Sequence, residues 1–271
     1  MVFFDFLHRL LRLPYKLNYQ KHGFNKRAAV TIVFIHGIGN TLHSWDEIVK
    51  ALPGNVQAIS VDLLGFGKSP KPNKVIYNSI TQARAVRWTL LRAGITQRVV
   101  VVGHSMGALV AVELAKKYPA WVQKLVLCSP PFYSFDNSPS LIVRRDNILR
   151  EIYRAAGKKP QQLEKLLGFG LKTGLANKSM NVSAETMAPY LAALEASIIN
   201  QTTTDDLAKI SVPVKIFYGL LDPLVIGSNI SKLARCNANI SVSKLVAGHE
   251  VVGLYASSVS DFIRSEFAIG S

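Results

Sequence analysis

Five consecutive residues, Gly103-His104-Ser105-Met106-Gly107, carry the most specific chemical signal in the chain. The apolar run Val99–Val102 precedes them and a helical pattern, Ala108–Tyr118, follows. A serine between two glycines at that junction predicts a hydroxyl raised on a sharp strand-to-helix turn, where it can act as a nucleophile. The reason is steric. Such a turn brings the residues two before and two after the serine together, and only very small side chains fit. Gly103 and Gly107 meet that demand.

A serine hydroxyl needs a base to take its proton. The chain has six histidines, and one falls late, in Gly248-His249 after the apolar segment Val242–Val246. A loop histidine between a strand and a helix can reach the same sheet edge as Ser105. His36 and His104 belong to other motifs, and His8, His22 and His43 read as surface or local packing groups. The base in turn needs an acid to fix its tautomer and stabilise the imidazolium. Asp222 stands just past the apolar segment Val214–Tyr218 and fits that place; Asp205 and Asp206 are weaker candidates. The anionic intermediate of acyl transfer needs backbone N–H donors. Met106, next to the nucleophile, supplies one. Ile38, in the loop His36-Gly-Ile-Gly-Asn40, is assigned the second.

Placing these residues requires several buried strands ending at one edge. Val30–Ile35, Val56–Val61, Val99–Val102, Leu125–Cys128, Val214–Tyr218 and Val242–Val246 are short runs rich in Val and Ile. Continuous apolar runs of this kind suit strands covered on both faces. Helical patterns at about 43–52, 78–93, 106–118 and 250–267 lie between them, so a mostly parallel sheet flanked by helices is expected. Tyr15, Leu17 and Tyr19 alternate and suggest an early edge strand. Between Cys128 and Val212 the alternation stops. Helical patterns near 140–155, 160–172 and 184–200 suggest a helical cap. The expected domains are an amphipathic N-terminal helix (1–14), a core (15–130 and 211–271) and a cap insertion (131–210).

Hydrophobic residues make up 49% of the 271 and charged residues 18%, ample for a large core. Mean hydropathy is +0.20, yet no apolar run approaches the roughly 18 residues of a membrane span. The net charge is +15, but the basic residues form no dense tract with interleaved aromatics, which argues against nucleic acid. Attraction to anionic surfaces is one reading of the charge; a basic exterior without a specific partner is the other. In Val2–Leu13, Asp5, His8, Arg9 and Arg12 share one helical arc and Phe and Leu fill the rest. That pattern suits a helix lying on a membrane or lipid substrate, one docked on the protein itself, or one in self-association. The two cysteines, Cys128 and Cys236, have no metal-ligand spacing and favour a reducing compartment. The expected location is cytoplasmic, possible peripheral membrane association included.

At these residues the chain resembles the α/β-hydrolase fold family, in the group that contains carboxylesterases and lipases. The matching stretches are His36-Gly-Ile-Gly…Trp45, Asp62-Leu-Leu-Gly-Phe-Gly-Lys-Ser69, Gly103–Gly107, Val212–Asp222 and Gly248-His249, together spanning about residues 30–267. The resemblance implies an eight-stranded sheet, a helical cap after the sixth strand and an acyl-enzyme mechanism. It also implies that the Asp62–Ser69 loop is structural. Ala108 departs from the pattern, since many relatives have glycine there, and is small enough to keep the turn.

The expected function is hydrolysis of a small-molecule carboxylic ester by Ser105, His249 and Asp222, with no metal or organic cofactor. A serine at the turn disfavours the branches of this fold that use an aspartate nucleophile. Alternatives are a C–C bond or thioester hydrolase with the same three residues, an interfacial lipase or polyester hydrolase, and a non-catalytic module on this fold. Arg144 and Arg145 suit either a substrate carboxylate or a solvated helix face.

Overall fold

The computed structural model describes residues 13–23, 28–133, 158, 184–201 and 203–267. Seven strands form one sheet in the order β1-β3-β2-β4-β5-β6-β7. They are β1 (Tyr19–His22), β2 (Val30–Ile35), β3 (Val56–Val61), β4 (Val99–His104), β5 (Val122–Cys128), β6 (Val214–Gly219) and β7 (Ile240–Leu245). β1 runs antiparallel to β3, and every other pairing is parallel.

Alternate residues of the central strands feed two separate cores. Val33, Ile35, Val99 and Val101 point to one face, where they meet helices α2 (Ser79–Arg92), α3 (Met106–Lys117) and α6 (Gly227–Cys236). Ile32, Phe34, Val100 and Val102 point to the other, against α1 (Asp46–Lys50) and α7 (Leu254–Phe267). Burial on both faces explains why these strands read as unbroken apolar runs rather than alternating ones. The mostly parallel α/β architecture is therefore as expected.

Several boundaries differ. Among the described residues the sheet has seven strands, not eight. The edge strand starts at Tyr19 rather than Tyr15. Leu17 donates its N–H to the Thr89 hydroxyl (2.8 Å) instead of to a strand partner, and Tyr15 and Leu17 alternate because they pack inward there. The helix expected at 43–52 is a 3₁₀ turn, Leu42–Trp45, followed by the short α1. The last helix begins at Leu254 because Gly253 adopts φ +54, outside the helical region.

The N-terminal helix expected at 1–14, apart from Leu13 and Pro14, and the helical patterns at 140–155 and 160–172, with Arg144 and Arg145, lie outside the described residues. The described stretches 184–199 and 203–207 are helical. α4 (Ala184–Ala193) continues into a π-helical turn, Leu194–Ile199, and then the short α5 (Thr203–Leu207). Side chains fasten this stretch to the core. Ser197 donates to the Tyr77 carbonyl (2.8 Å), and Gln201 Nε2 to the Pro131 carbonyl (2.8 Å). Among the described residues no helix is long and apolar enough to cross a membrane.

Candidate active site

β4 ends at His104, and Ser105 then turns the chain into α3 with φ 52° and ψ −120°. A non-glycine residue at positive φ is strained, and two elements must hold it there. β4 is buried along its whole length. α3 buries nine residues from Met106 to Ala115. The Ser105 N–H donates to the Cys128 carbonyl of β5 (2.9 Å), and the Ala108 N–H to the Ser105 carbonyl (2.9 Å). A Cβ at Gly103 would collide with the Gly107 carbonyl, and one at Gly107 with the Ile35 carbonyl of β2. The glycine spacing read in the sequence is thus a close approach of three backbone segments. Ala108 is buried and fits.

The loops after β6 and β7 bring the other two residues to this point. His249 Nε2 lies 3.0 Å from Ser105 Oγ, and His249 Nδ1 lies 2.7 Å from Asp222 Oδ2. The bond to an ionised carboxylate puts the ring proton on Nδ1, which leaves Nε2 to accept from the serine hydroxyl. Asp222 Oδ1 accepts the Leu224 N–H at 2.8 Å. The Asp222 side chain is completely buried and that of His249 is 16% exposed.

The electrostatics follow from this arrangement. Burial alone would raise the Asp222 carboxyl; the hydrogen bond and charge of His249, with the Leu224 N–H, hold it below its usual range. Burial would lower His249, but the hydrogen bond and charge of Asp222, aided by Glu250, outweigh it and leave the imidazole above its ordinary value. His36 and His104 are both lowered, chiefly by burial, His36 to about 4. Three histidines thus sit within one region and only His249 has its cationic form favoured.

The two expected amide donors, Ile38 and Met106, lie in the loop after β2 and at the start of α3. Met106 is the first residue of α3, whose opening N–H groups have no partner within the helix. Ile38 lies in the turn that the Asn40 N–H closes on the Gly37 carbonyl (3.2 Å), so its own N–H stands outside that bond. The turn lies against Ser105, since a Cβ at Gly37 would sit 3.1 Å from Ser105 Cβ. Its third residue, Gly39, has φ +75, as turns of this kind require.

The remaining candidates separate from the site. Asp206 pairs with Lys116 (2.9 Å) on α5, and Asp205 is exposed, so neither serves His249. Asp62 is a structural knot: its carboxylate accepts the N–H groups of Leu42 (2.7 Å) and Lys68 (2.9 Å) and the Asn18 amide (2.8 Å). His36 accepts the Leu63 N–H on Nε2 (2.9 Å) and donates from Nδ1 to the Gly37 carbonyl (2.7 Å). His22 faces Ser60 and His43 faces Asp46.

Four supporting residues were not singled out from sequence. His104 Nε2–H donates to the His249 carbonyl (2.9 Å) and so ties the neighbour of Ser105 to the His249 loop. Gly219 lets β6 pass the Ala247 carbonyl, which a Cβ would strike. The buried Tyr255 hydroxyl donates to the Phe217 carbonyl (2.7 Å) and accepts from the Ser129 N–H (2.9 Å). Ser129, at φ 47°, directly follows β5 beside it. His104 and His249 are 145 residues apart and Ser129 and Tyr255 are 126 apart, separations that no local pattern signals.

The model of the alpha/beta hydrolase fold matches residues 30–249. The chain belongs to that family. Among solved structures it is similar to an esterase from Exiguobacterium antarcticum, with a TM-score of 0.77 over 94% of this chain and 96% of that one, at 20% identity. Likeness at that identity speaks to the fold alone. In sequence it is 31% identical over 143 residues to the probable lysophospholipase BODYGUARD 2 of Arabidopsis thaliana. That match covers 51% of this chain and only 30% of the plant protein. Lipase 1 of Psychrobacter immobilis is 28% identical over 229 residues, 78% of this chain and 67% of the lipase.

Proposed function

We propose that this alpha/beta hydrolase cleaves carboxylic esters through an acyl-enzyme intermediate on Ser105. The observation that carries the reading is the bridge made by His249, 3.0 Å from Ser105 Oγ on one side and 2.7 Å from Asp222 on the other. His249 Nε2 takes the hydroxyl proton as Ser105 Oγ bonds to the ester carbonyl carbon. The N–H groups of Ile38 and Met106 bind the resulting oxyanion. The carbonyl re-forms, the C–O bond to the alcohol breaks, and His249 returns its proton to the departing oxygen. Water then repeats the sequence, giving the free acid and restoring Ser105. Asp222 remains ionised throughout and stabilises the imidazolium. An ester- and lipase-named set of relatives supports the substrate class, and a serine at the elbow supports acyl transfer over attack by a carboxylate nucleophile.

A panel of p-nitrophenyl esters from acetate to palmitate, with one thioester analogue, tests the proposal. Ester turnover that disappears in Ser105→Ala is expected. Turnover of no ester, or turnover unchanged in that variant, would refute it. A thioester cleaved far better than every ester would move the reading to a thioester hydrolase with the same three residues.

A further inference from the structure

Residues 130–133 leave the end of β5 as irregular backbone, yet all four are buried. Buried carbonyls without a strand or helix partner need donors from elsewhere. Each of these finds one. The Phe132 N–H donates to the Pro130 carbonyl (3.0 Å), and Gln201 Nε2 to that of Pro131 (2.8 Å). Asn229 Nδ2 donates to the Phe132 carbonyl (2.9 Å), and the Thr204 hydroxyl to the Tyr133 carbonyl (3.0 Å). Asn229 belongs to α6, whereas Gln201 follows the π-helical turn and Thr204 lies on α5. The segment is thus a junction between α6 and the helical stretch that ends in α5.

The last side chain of that junction reaches the turn of Asp222. Tyr133 is 1% exposed, and its hydroxyl donates to the Leu224 carbonyl (2.9 Å). The N–H of the same Leu224 donates to Asp222 Oδ1 (2.8 Å). Leu224 is therefore held at both ends: its amide grips the carboxylate, and Tyr133 grips its carbonyl. The other carboxylate oxygen, Oδ2, meets His249 Nδ1 at 2.7 Å. A phenylalanine at 133 would fill nearly the same volume, but only a hydroxyl can fix the Leu224 carbonyl.

We propose that Tyr133 is a positioning residue for Asp222, acting through Leu224, and that Thr204 seats it, so that the placement of the carboxylate follows the docking of α5. The inference rests on the proposed ester hydrolysis for its effect on rate; its effect on His249 needs no turnover. The hydrogen bond and charge of Asp222 raise His249 above its ordinary value. A carboxylate less firmly held gives up part of that raise, so His249 then titrates at lower pH. The other titratable groups that act on this pair are His104 at the end of β4, Glu250 beside His249 and Tyr255 of α7, with Cys128 of β5 next to Tyr255. Loss of the Tyr133 hydroxyl removes none of them.

Tyr133→Phe in the full chain is the test. With p-nitrophenyl acetate, kcat should fall about three- to tenfold while KM stays near its wild-type value. The acid inflection of kcat/KM should move down by about 0.3 pH or more, and less than in Asp222→Asn. An NMR titration of the histidine rings, without substrate, should show the same downward move for His249. Thr204→Val should give a smaller change of the same sign, and the double variant should lose less than the product of the two single effects. A Tyr133→Phe protein whose His249 titrates as in the wild type would overturn the inference, even with a lowered thermal midpoint, since lost packing alone destabilises without moving that group. Single effects that simply multiply would overturn the role of Thr204. A wild-type chain that cleaves no ester, with the His249 shift still present in the variant, would remove the proposed function and leave the role of Tyr133; ester turnover with no such shift does the reverse.

Discussion

Ser105 and His249 stand 3.0 Å apart, yet the backbone beneath each is fixed by different means. Ser105 sits where a buried strand meets a buried helix, and the glycines that permit the turn are its own second neighbours. His249 sits in a loop flanked by exposed Val246 and Val252 and is held by partners far away in sequence: Asp222, and His104 through its carbonyl. Ser105 is placed by local packing and His249 by long-range hydrogen bonds. Regions with few buried apolar contacts open first, so the loop of the base is expected to yield before the elbow does.

The largest effect should come from the elbow itself. Ser105→Ala should lower kcat by on the order of 10⁵- to 10⁶-fold while the far-ultraviolet circular dichroism stays unchanged. Next is the acid. Asp222→Asn should cost on the order of 10⁴-fold in kcat, because the imidazole loses both its tautomer and its counter-charge. The pH profile gives the sign. His249 must be neutral to accept the serine proton, and Asp222 raises its pKa, so kcat/KM should fall as pH drops through a value above 6.5. Without the carboxylate, the residual activity should show that inflection at lower pH.

Smaller effects probe what holds the loop of the base. His104→Ala removes one hydrogen bond to the His249 carbonyl and should lower kcat/KM by about tenfold, an effect of roughly 1.4 kcal/mol. His104→Gln, which keeps a donor, should recover part of it. Full activity in the alanine variant would show that the loop holds itself. Tyr255→Phe should act on stability more than on rate. The Ser129 N–H also reaches the Phe217 carbonyl (2.8 Å), so the change orphans neither group and should cost about 1 to 1.5 kcal/mol. A thermal midpoint lowered by roughly 2–6 °C, with near-normal activity in the cold, is the expected result.

The same contrast explains what the sequence disclosed. The elbow was legible because its requirements fall within five residues, and the strands because burial on both faces leaves continuous apolar runs. Asp222 and His249 were legible by position, each just past a strand. The clamp from His104, the pass of Gly219 beside Ala247 and the Tyr255–Ser129 bond were not, because each depends on a partner that only the folded sheet brings near. Tyr15 and Leu17 alternate as a strand would, but a hydroxyl on α2 takes the Leu17 amide, and pattern alone cannot tell the two apart.

The central claim is that Ser105 is an activated nucleophile, and covalent labelling tests it most directly. A fluorophosphonate probe followed by intact mass and peptide mapping should give one adduct per folded chain, on Ser105, absent from Ser105→Ala and slowed in Asp222→Asn. A folded protein that takes up no probe, or carries it on another residue, would contradict the account.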